Sequence, residues 1–243
     1  MNSLASTTAL ILAGGLGTRL RSAVPDRPKV IAEVGGRPFI AYLLDQLVDA
    51  GVTRIVLCTG YQADRVEACL GPSYRSAQLL YSPEANPLGT GGALRLALPL
   101  IQSPEALVLN GDSYCDVPLP DFAAFHYSRD AQASLALCSV DDQRRYGGVR
   151  VDEQGAITAF AEKADVEGPG WVNAGVYLLR RSLLESIPPG TFVSLEREVL
   201  PGLISRGLFG FCSSARFRDI GVPEAYSSAQ SEFSAGGTFE THR

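Results

Sequence analysis

The chain has 243 residues, of which 46% are hydrophobic and 19% charged. That balance suits one large domain or two small ones, with core enough to need neither disulfides nor structural metal, and excludes a disordered chain. The 21 basic and 26 acidic residues leave a net charge of −5 and no basic run, which argues against nucleic acid or an anionic membrane as partner.

In chain order, Met1–Thr8 is polar without a charged n-region, so no secretory signal is read there. Ala9–Leu12 is a short apolar run ending in glycines and reads as a buried strand. Residues 38–50 put Phe39, Ile40, Leu43, Leu44, Leu47 and Val48 at helical spacing, with Gly51 as C-cap. Arg54–Cys58 and Gln78–Tyr81 read as strands around a short helix, Asp64–Leu70. Residues 90–101 read as a helix opening in glycines, and Ala106–Leu109 as a strand running into Asn110-Gly111-Asp112. Alternation of this kind predicts a mostly parallel sheet covered on both faces.

The second half is more mixed. Ser134–Val140 and Val172–Leu179 read as strands, and Gly148–Val151 and Ala156–Phe160 as a hairpin turning at residues 152–155. Residues 194–206 carry Leu195, Val199, Leu200, Leu203 and Ile204 on one helical face. Pro223–Phe233 reads as a final helix, and residues 234–243 as a frayed tail. No repeat, linker or apolar stretch of the roughly 18 residues needed to span a bilayer interrupts the chain. The expected architecture is one α/β domain: a Rossmann-like mixed sheet flanked by helices, with a smaller β-rich part.

Cys58, Cys69, Cys115, Cys138 and Cys212 are scattered and form no Cys-x-x-Cys pair; they read as reduced thiols of a cytoplasmic protein, several on buried strands. His126 and His242 are the only histidines, which excludes a multi-histidine metal site. His126, at helical spacing within residues 122–127, reads as structural.

The segment Leu12-Ala13-Gly14-Gly15-Leu16-Gly17-Thr18-Arg19-Leu20 carries most of the functional information. Glycines let a backbone turn sharply and approach a ligand, and successive amides make an anion-binding concavity. Arg19 adds a permanent charge of fork geometry suited to phosphate. No Gly-Lys-Ser/Thr ends the loop and no third glycine stands near Leu20, so neither a Walker A loop nor a dinucleotide fingerprint is present. A plain strand-to-helix glycine turn is the alternative reading.

This loop, followed by Arg27-Pro28-Lys29, resembles the signature of sugar-1-phosphate nucleotidyltransferases. The resemblance runs over roughly residues 8–230 and implies a Rossmann-like enzyme that joins an NTP to a sugar 1-phosphate and releases pyrophosphate. It implies catalytic roles for Arg19, Lys29 and Asp112, and nucleotide binding by Leu12, Ala13, Gly14, Gly15, Gly17 and Thr18. Gly89 and Thr90, within Leu-Gly-Thr-Gly-Gly-Ala, would lie beside the base. Gly148, Glu162, Lys163, Asn173 and Glu196 would meet the sugar phosphate, and Asp112 and Asp219 would hold Mg²⁺. Residues 8–140 would form a nucleotide-binding half and 141–233 a sugar-binding half.

Within the family, Leu109-Asn110-Gly111-Asp112-Ser113-Tyr114 and Ser194-Leu195-Glu196-Arg197-Glu198-Val199-Leu200-Pro201 resemble guanylyltransferases of D-glycero-D-manno-heptose 1-phosphate. GTP and that heptose phosphate are the expected substrates. Mannose 1-phosphate with GTP, and glucose 1-phosphate with UTP or dTTP, stand as alternatives. A catalytically silent nucleotide-sugar-binding regulator and an unrelated NTPase are readings of other classes. Val30 follows the signature lysine where relatives commonly have proline. Many relatives carry a left-handed β-helix after the catalytic part; none is read here, so no second acyltransferase activity is expected. The oligomeric state is left open, with room for a homo-oligomer.

Simple residue chemistry leaves alternatives at several of these positions. A strand-end aspartate such as Asp112 or Asp219 also suits a helix N-cap, and Glu196 a first helical turn. Lys163 also suits a solvated surface, and Asn173 local backbone hydrogen bonding.

Overall fold

The computed structural model describes residues 4–20, 23–161 and 167–234. In chain order the strands and helices are β1 (Thr8–Ala13), β2 (Glu33–Val34), β3 (Arg37–Pro38), α1 (Ile40–Asp49), β4 (Arg54–Thr59), α2 (Ala63–Leu70), β5 (Ser73–Tyr74) and β6 (Ala77–Pro83). Then follow α3 (Gly89–Ala97), β7 (Glu105–Asn110), β8 (Ser113–Cys115), α4 (Leu119–Ser128), β9 (Ala133–Val140), β10 (Gly148–Val151), β11 (Ile157–Ala161) and β12 (Gly170–Arg180). The chain closes with α5 (Arg181–Glu185), β13 (Leu208–Ser213), β14 (Phe217–Asp219) and α6 (Pro223–Ser234).

Eight strands form the central sheet in the order β13-β9-β12-β7-β1-β4-β6-β5. β1 pairs in parallel with β4 and β7, β4 with β6, and β13 with β9, whereas β12 runs against both of its neighbours and β5 against β6. The expected mixed, mostly parallel sheet is therefore present. Side chains alternate between its faces, as strand geometry requires. Ala9, Ile11 and Ala13 of β1 enter one apolar layer with α1, α2, α4 and α6, while Leu10 enters the other with α3 and α5. The β10–β11 hairpin stands as a separate two-stranded sheet.

α1 follows from the predicted spacing, since Ile40, Leu43, Leu44 and Leu47 are all buried on one face. It ends as expected at Gly51, with the Val52 N–H returning to the Leu47 carbonyl at 3.0 Å. The reading of 194–206 as one helix is corrected. The segment is a π-type turn at Leu195–Val199 followed by a 3-10 turn at Pro201–Leu203. Pro201 lacks the N–H that would continue the helix. Pro99 likewise closes α3 at Ala97, so the last part of the predicted helix 90–101 is a 3-10 turn, Leu98–Leu100. The tail beyond Ser234 lies outside the described residues.

Cys58, Cys115 and Cys138 are free and buried on strands, and Cys69 and Cys212 are free and exposed. Among the described residues no helix is long and apolar enough to cross a membrane.

His126 is structural in placement. It is 2% exposed on α4, and its Nδ1 lies 2.9 Å from Ser134 Oγ on β9. Burial, helped by the Arg180 charge and opposed by Asp130, lowers its pKa to about 4. The folded chain thus binds fewer protons than the unfolded chain between that value and the ordinary 6.5. The stabilisation is complete above the ordinary value and is lost as pH falls, on the order of 3 kcal/mol in all. Urea unfolding at pH 7 and pH 4.5 is expected to show that loss in the wild type and a smaller one in His126→Gln.

Candidate active site

The strands β1 and β7 run side by side and end at the same edge of the sheet, with Leu12 opposite Asn110. In open α/β sheets the crevice beyond the carboxyl ends of parallel strands is the usual ligand site. Here it is a cavity of 390 Å³, lined by the glycine loop, Lys29, Glu84, Asp112 and Gly221 among others. Leu12, Ala13, Gly14, Gly15, Gly17, Thr18 and Arg19 all line it. Gly17 takes φ +60, and the Leu20 N–H closes the turn on its carbonyl at 3.0 Å. Buried Leu20 anchors the far end of the loop. The space above Gly15 is open, a hollow that a Cβ would begin to fill. Arg19 has no ion-pair partner among the described residues and is exposed at the cavity.

Lys29 opens a 3-10 turn, Lys29–Ile31, that buried Val30 and Ile31 fix to the core. Val30 packs beside Gly111 and leaves Lys29 at the cavity. Lys29 Nζ reaches Asp112 Oδ2 at 2.6 Å; the lysine side chain is 10% exposed and the carboxylate 42%. Gly111 explains the Asn-Gly-Asp wording. Its N–H donates to the Leu12 carbonyl at 2.9 Å, and a Cβ would stand 2.5 Å from that oxygen. Only glycine lets the chain cross the end of β1 so closely and deliver Asp112 to the cavity.

Asp219 ends β14, which pairs antiparallel with β8 immediately after Asp112. The Ile220 N–H donates to the Asp112 carbonyl at 3.0 Å. A Cβ on Gly221 would lie 2.6 Å from Asp219 Oδ1 and 3.2 Å from Lys29 Nζ, so lysine and both carboxylates converge on one spot. Asp219 Oδ1 accepts from the Gly221 N–H at 2.6 Å, and Oδ2 pairs with Arg145 at 3.1 Å. Among the described residues no group of three or more His, Cys, Asp or Glu side chains is assembled for a metal. Two carboxylates beside the open glycine-loop hollow are instead the donor set that a hard cation takes when phosphate oxygens and water complete its shell.

The opposite end of the cavity is organised by Glu84. Its Oε2 accepts the Leu88 N–H at 3.0 Å, and its Oε1 lies against the backbones of Gly14 and Gly60. Burial raises its carboxyl above the ordinary value, against the Leu88 N–H, which favours the charged form. Cys58 nearby is pushed up to about 12 by burial and by Glu84, so it is a thiol without nucleophilic character. Gly89 and Thr90 line the cavity from the first turn of α3. The glycines of this turn admit the segment 191–193, whose Val193 carbonyl accepts the N–H groups of Gly91 and Gly92 at 2.9 and 3.2 Å.

The Thr90 hydroxyl is engaged by the segment 195–196. It donates to Glu196 Oε2 at 2.7 Å and accepts the Leu195 N–H at 2.8 Å. Glu196 Oε1 accepts from the Tyr177 hydroxyl at 3.0 Å, and Tyr177 accepts from Asn173 Nδ2 at 2.9 Å. Asn173 Oδ1 accepts the Gly175 N–H at 2.9 Å. Burial and the neighbouring carboxylate raise the Tyr177 hydroxyl well above an ordinary phenol, so it remains a donor. Asn173 and Glu196, far apart in sequence, thus belong to one network, and Gly148 is buried at the start of β10. Glu162 and Lys163 lie outside the described residues. The sequence singled out neither Tyr177 nor Arg145 nor Phe192; Tyr177 follows Asn173-Ala174-Gly175 closely enough to have been a signal.

The family model described as Nucleotidyl transferase matches residues 8–235. The chain belongs to the nucleotidyl transferase family. This nucleotidyl transferase is 35% identical over 225 residues to a D-glycero-alpha-D-manno-heptose 1-phosphate guanylyltransferase of Aneurinibacillus thermoaerophilus, covering 92% of this chain and 97% of that one. It is 36% identical to a mannose-1-phosphate guanylyltransferase of Mycobacterium tuberculosis, over 90% of this chain but only 62% of that longer protein. Among solved structures, HddC from Yersinia pseudotuberculosis complexed with GMP-PN superposes with a TM-score of 0.81 at 34% identity, over 93% of this chain and 99% of that one.

Proposed function

We propose that this nucleotidyl transferase joins GTP to D-glycero-D-manno-heptose 1-phosphate, giving GDP-heptose and pyrophosphate. The observation that carries the reaction class is the meeting of Lys29, Asp112 and Asp219 at the mouth of the glycine-loop cavity. The choice of substrates draws support from the likeness to a heptose 1-phosphate guanylyltransferase along 97% of its length.

In this reaction an oxygen of the sugar phosphate attacks the α-phosphorus of GTP. A new P–O bond forms, and the bond to the β-phosphate oxygen breaks as pyrophosphate leaves. The attacking oxygen is already anionic, so no general base is needed; the obstacles are charge repulsion and alignment. The loop backbone from Gly14 to Thr18 would cradle the triphosphate, Arg19 would neutralise the leaving pyrophosphate, and Lys29 would bridge the reacting phosphates. Gly148, Asn173 and Glu196 would contact the sugar phosphate, with Glu162 and Lys163 assigned there by resemblance alone. Asp112 and Asp219 would hold Mg²⁺, which when bound supplies further neutralisation at the phosphates.

Glu84 supports guanine. A carboxylate only accepts hydrogen bonds, and guanine presents two adjacent donors, N1–H and the N2 amino group, on one edge. Oε2 is held by the Leu88 N–H and Oε1 lies beside Gly14 and Gly60 at the cavity wall, so Oε1 would accept from one of these donors. Pyrophosphate release with GTP, UTP, dTTP, CTP and ATP, each paired with heptose, mannose and glucose 1-phosphates, tests the reading. Turnover confined to GTP and the heptose is expected. GTP with mannose alone would move the sugar to the second reading, which the Mycobacterium relative supports. Turnover with other bases would overturn the guanine assignment. Glu84→Gln is expected to raise the KM for GTP about 10- to 100-fold. In the wild type, that KM is expected to rise as pH falls through the elevated Glu84 value, starting above the ordinary 4.5.

A further inference from the structure

Among the described residues the exposed large apolar side chains are Leu16, Leu96 and Phe192, and Leu16 and Phe192 both stand at the rim of the active-site cavity. Phe192 is the most exposed of the three, at 62%. Its ring is in water, but its backbone is clamped. The Val193 N–H donates to the Leu88 carbonyl at 2.8 Å, and Gly91 and Gly92 donate back to the Val193 carbonyl. The approach is so close that a Cβ on Gly89 would stand 2.5 Å from the Val193 oxygen, and one on Gly92 2.6 Å from the Thr191 oxygen. Val193 is buried in the core layer that contains α3, while Phe192 lines the cavity.

The ring lies at the Glu84 end. Its Cζ is 3.3 Å from where a Cβ of Gly89 would be, and Gly89 follows Leu88, whose N–H holds Glu84. A rigidly tethered aromatic face at the base end of a nucleotide cavity is preorganised: little freedom remains to be lost when a flat ligand packs on it. We propose that Phe192 contacts the nucleoside, its ring forming one wall of the base subsite and becoming buried when a purine nucleotide binds. The inference rests on the nucleotide-binding reading above and adds a residue to it. The triphosphate has no apolar face, so it gains nothing from Phe192, and this difference makes the inference testable.

Calorimetry of GTP and of inorganic tripolyphosphate on the wild type, Phe192→Ala and Phe192→Leu reads the two parts of the ligand separately. Base–aromatic contacts of this kind make the expected loss of GTP affinity in Phe192→Ala roughly 5- to 150-fold, with Leu intermediate. Tripolyphosphate affinity and Tm are expected to stay unchanged, because the exposed ring supports neither the loop nor the core. In Phe192→Trp, GTP is expected to bind and to change the indole emission. Unchanged GTP affinity in Phe192→Ala overturns the inference. So does an equal fall for GTP and tripolyphosphate, which would mean that the loop is merely distorted. A wild type that does not bind GTP overturns the nucleotide reading itself; normal wild-type GTP binding with an indifferent Phe192→Ala overturns this inference alone.

Discussion

Lys29→Met lowers turnover by about 10²–10³-fold, the usual cost of removing one charged contact to a transition state. Lys29 is the group best placed for this effect. Its Nζ lies 2.6 Å from Asp112 and close to Asp219, at the end of the cavity opposite Glu84. Methionine keeps the length and apolar stem of the side chain, so the 3-10 turn anchored by Val30 and Ile31 stays in place. Asp112 loses its partner but is exposed enough to remain hydrated. The variant is therefore expected to melt with the wild type while kcat for pyrophosphate release collapses. A variant with normal kcat would remove Lys29 from the reaction. Asp112 and Lys29 touch, so their substitutions are expected to be strongly non-additive.

Gly89→Ala is the second large effect, and it acts through the backbone. Gly89 has φ +71, and an added Cβ would stand 2.5 Å from the Val193 carbonyl oxygen. Neither the left-handed conformation nor the contact tolerates a side chain, so about 2 kcal/mol of stability is expected to be lost. For a chain of this size that is a fall in Tm of about 4–8 °C. The loop 191–193 must also move, taking Phe192 from the cavity and Leu195 from Thr90, so the KM for GTP is expected to rise as well. Thermal melts and steady-state kinetics on one preparation check both. Unchanged values in both would mean that the close approach of these two segments carries no weight.

The parts of the fold that were legible from sequence are those with strong local period. β1, β4 and β7 are short apolar runs closed by turn residues, and α1 has an uninterrupted 3.6-residue stripe ending at Gly51. The stripe at 194–206 is just as apolar, yet it yields two short turns, because Pro201 cuts the hydrogen bonding. β13 went unread: Gly210 interrupts its pattern, and the strand is defined by pairing with β9, some 75 residues upstream. β8 and β14 are three-residue strands that exist only through each other.

The site divides along the same line. The glycine loop, Lys29 and Asp112 stand in a distinctive local wording, and the fold brings them to one cavity. Glu84, Tyr177 and Phe192 have no local signature; each acquires its place from tertiary contacts. Thr90 shows what the local wording leaves out. The residue lines the cavity, and its hydroxyl ties α3 to Glu196.

The most direct measurement supplies the protein with GTP, D-glycero-D-manno-heptose 1-phosphate and Mg²⁺ and follows all products by mass spectrometry and pyrophosphate release. GDP-heptose and pyrophosphate appearing in equal amounts, and neither appearing without the sugar phosphate, is the predicted result. Consumption of GTP to GDP and phosphate, or to GMP and pyrophosphate, with no sugar nucleotide formed, would contradict the account.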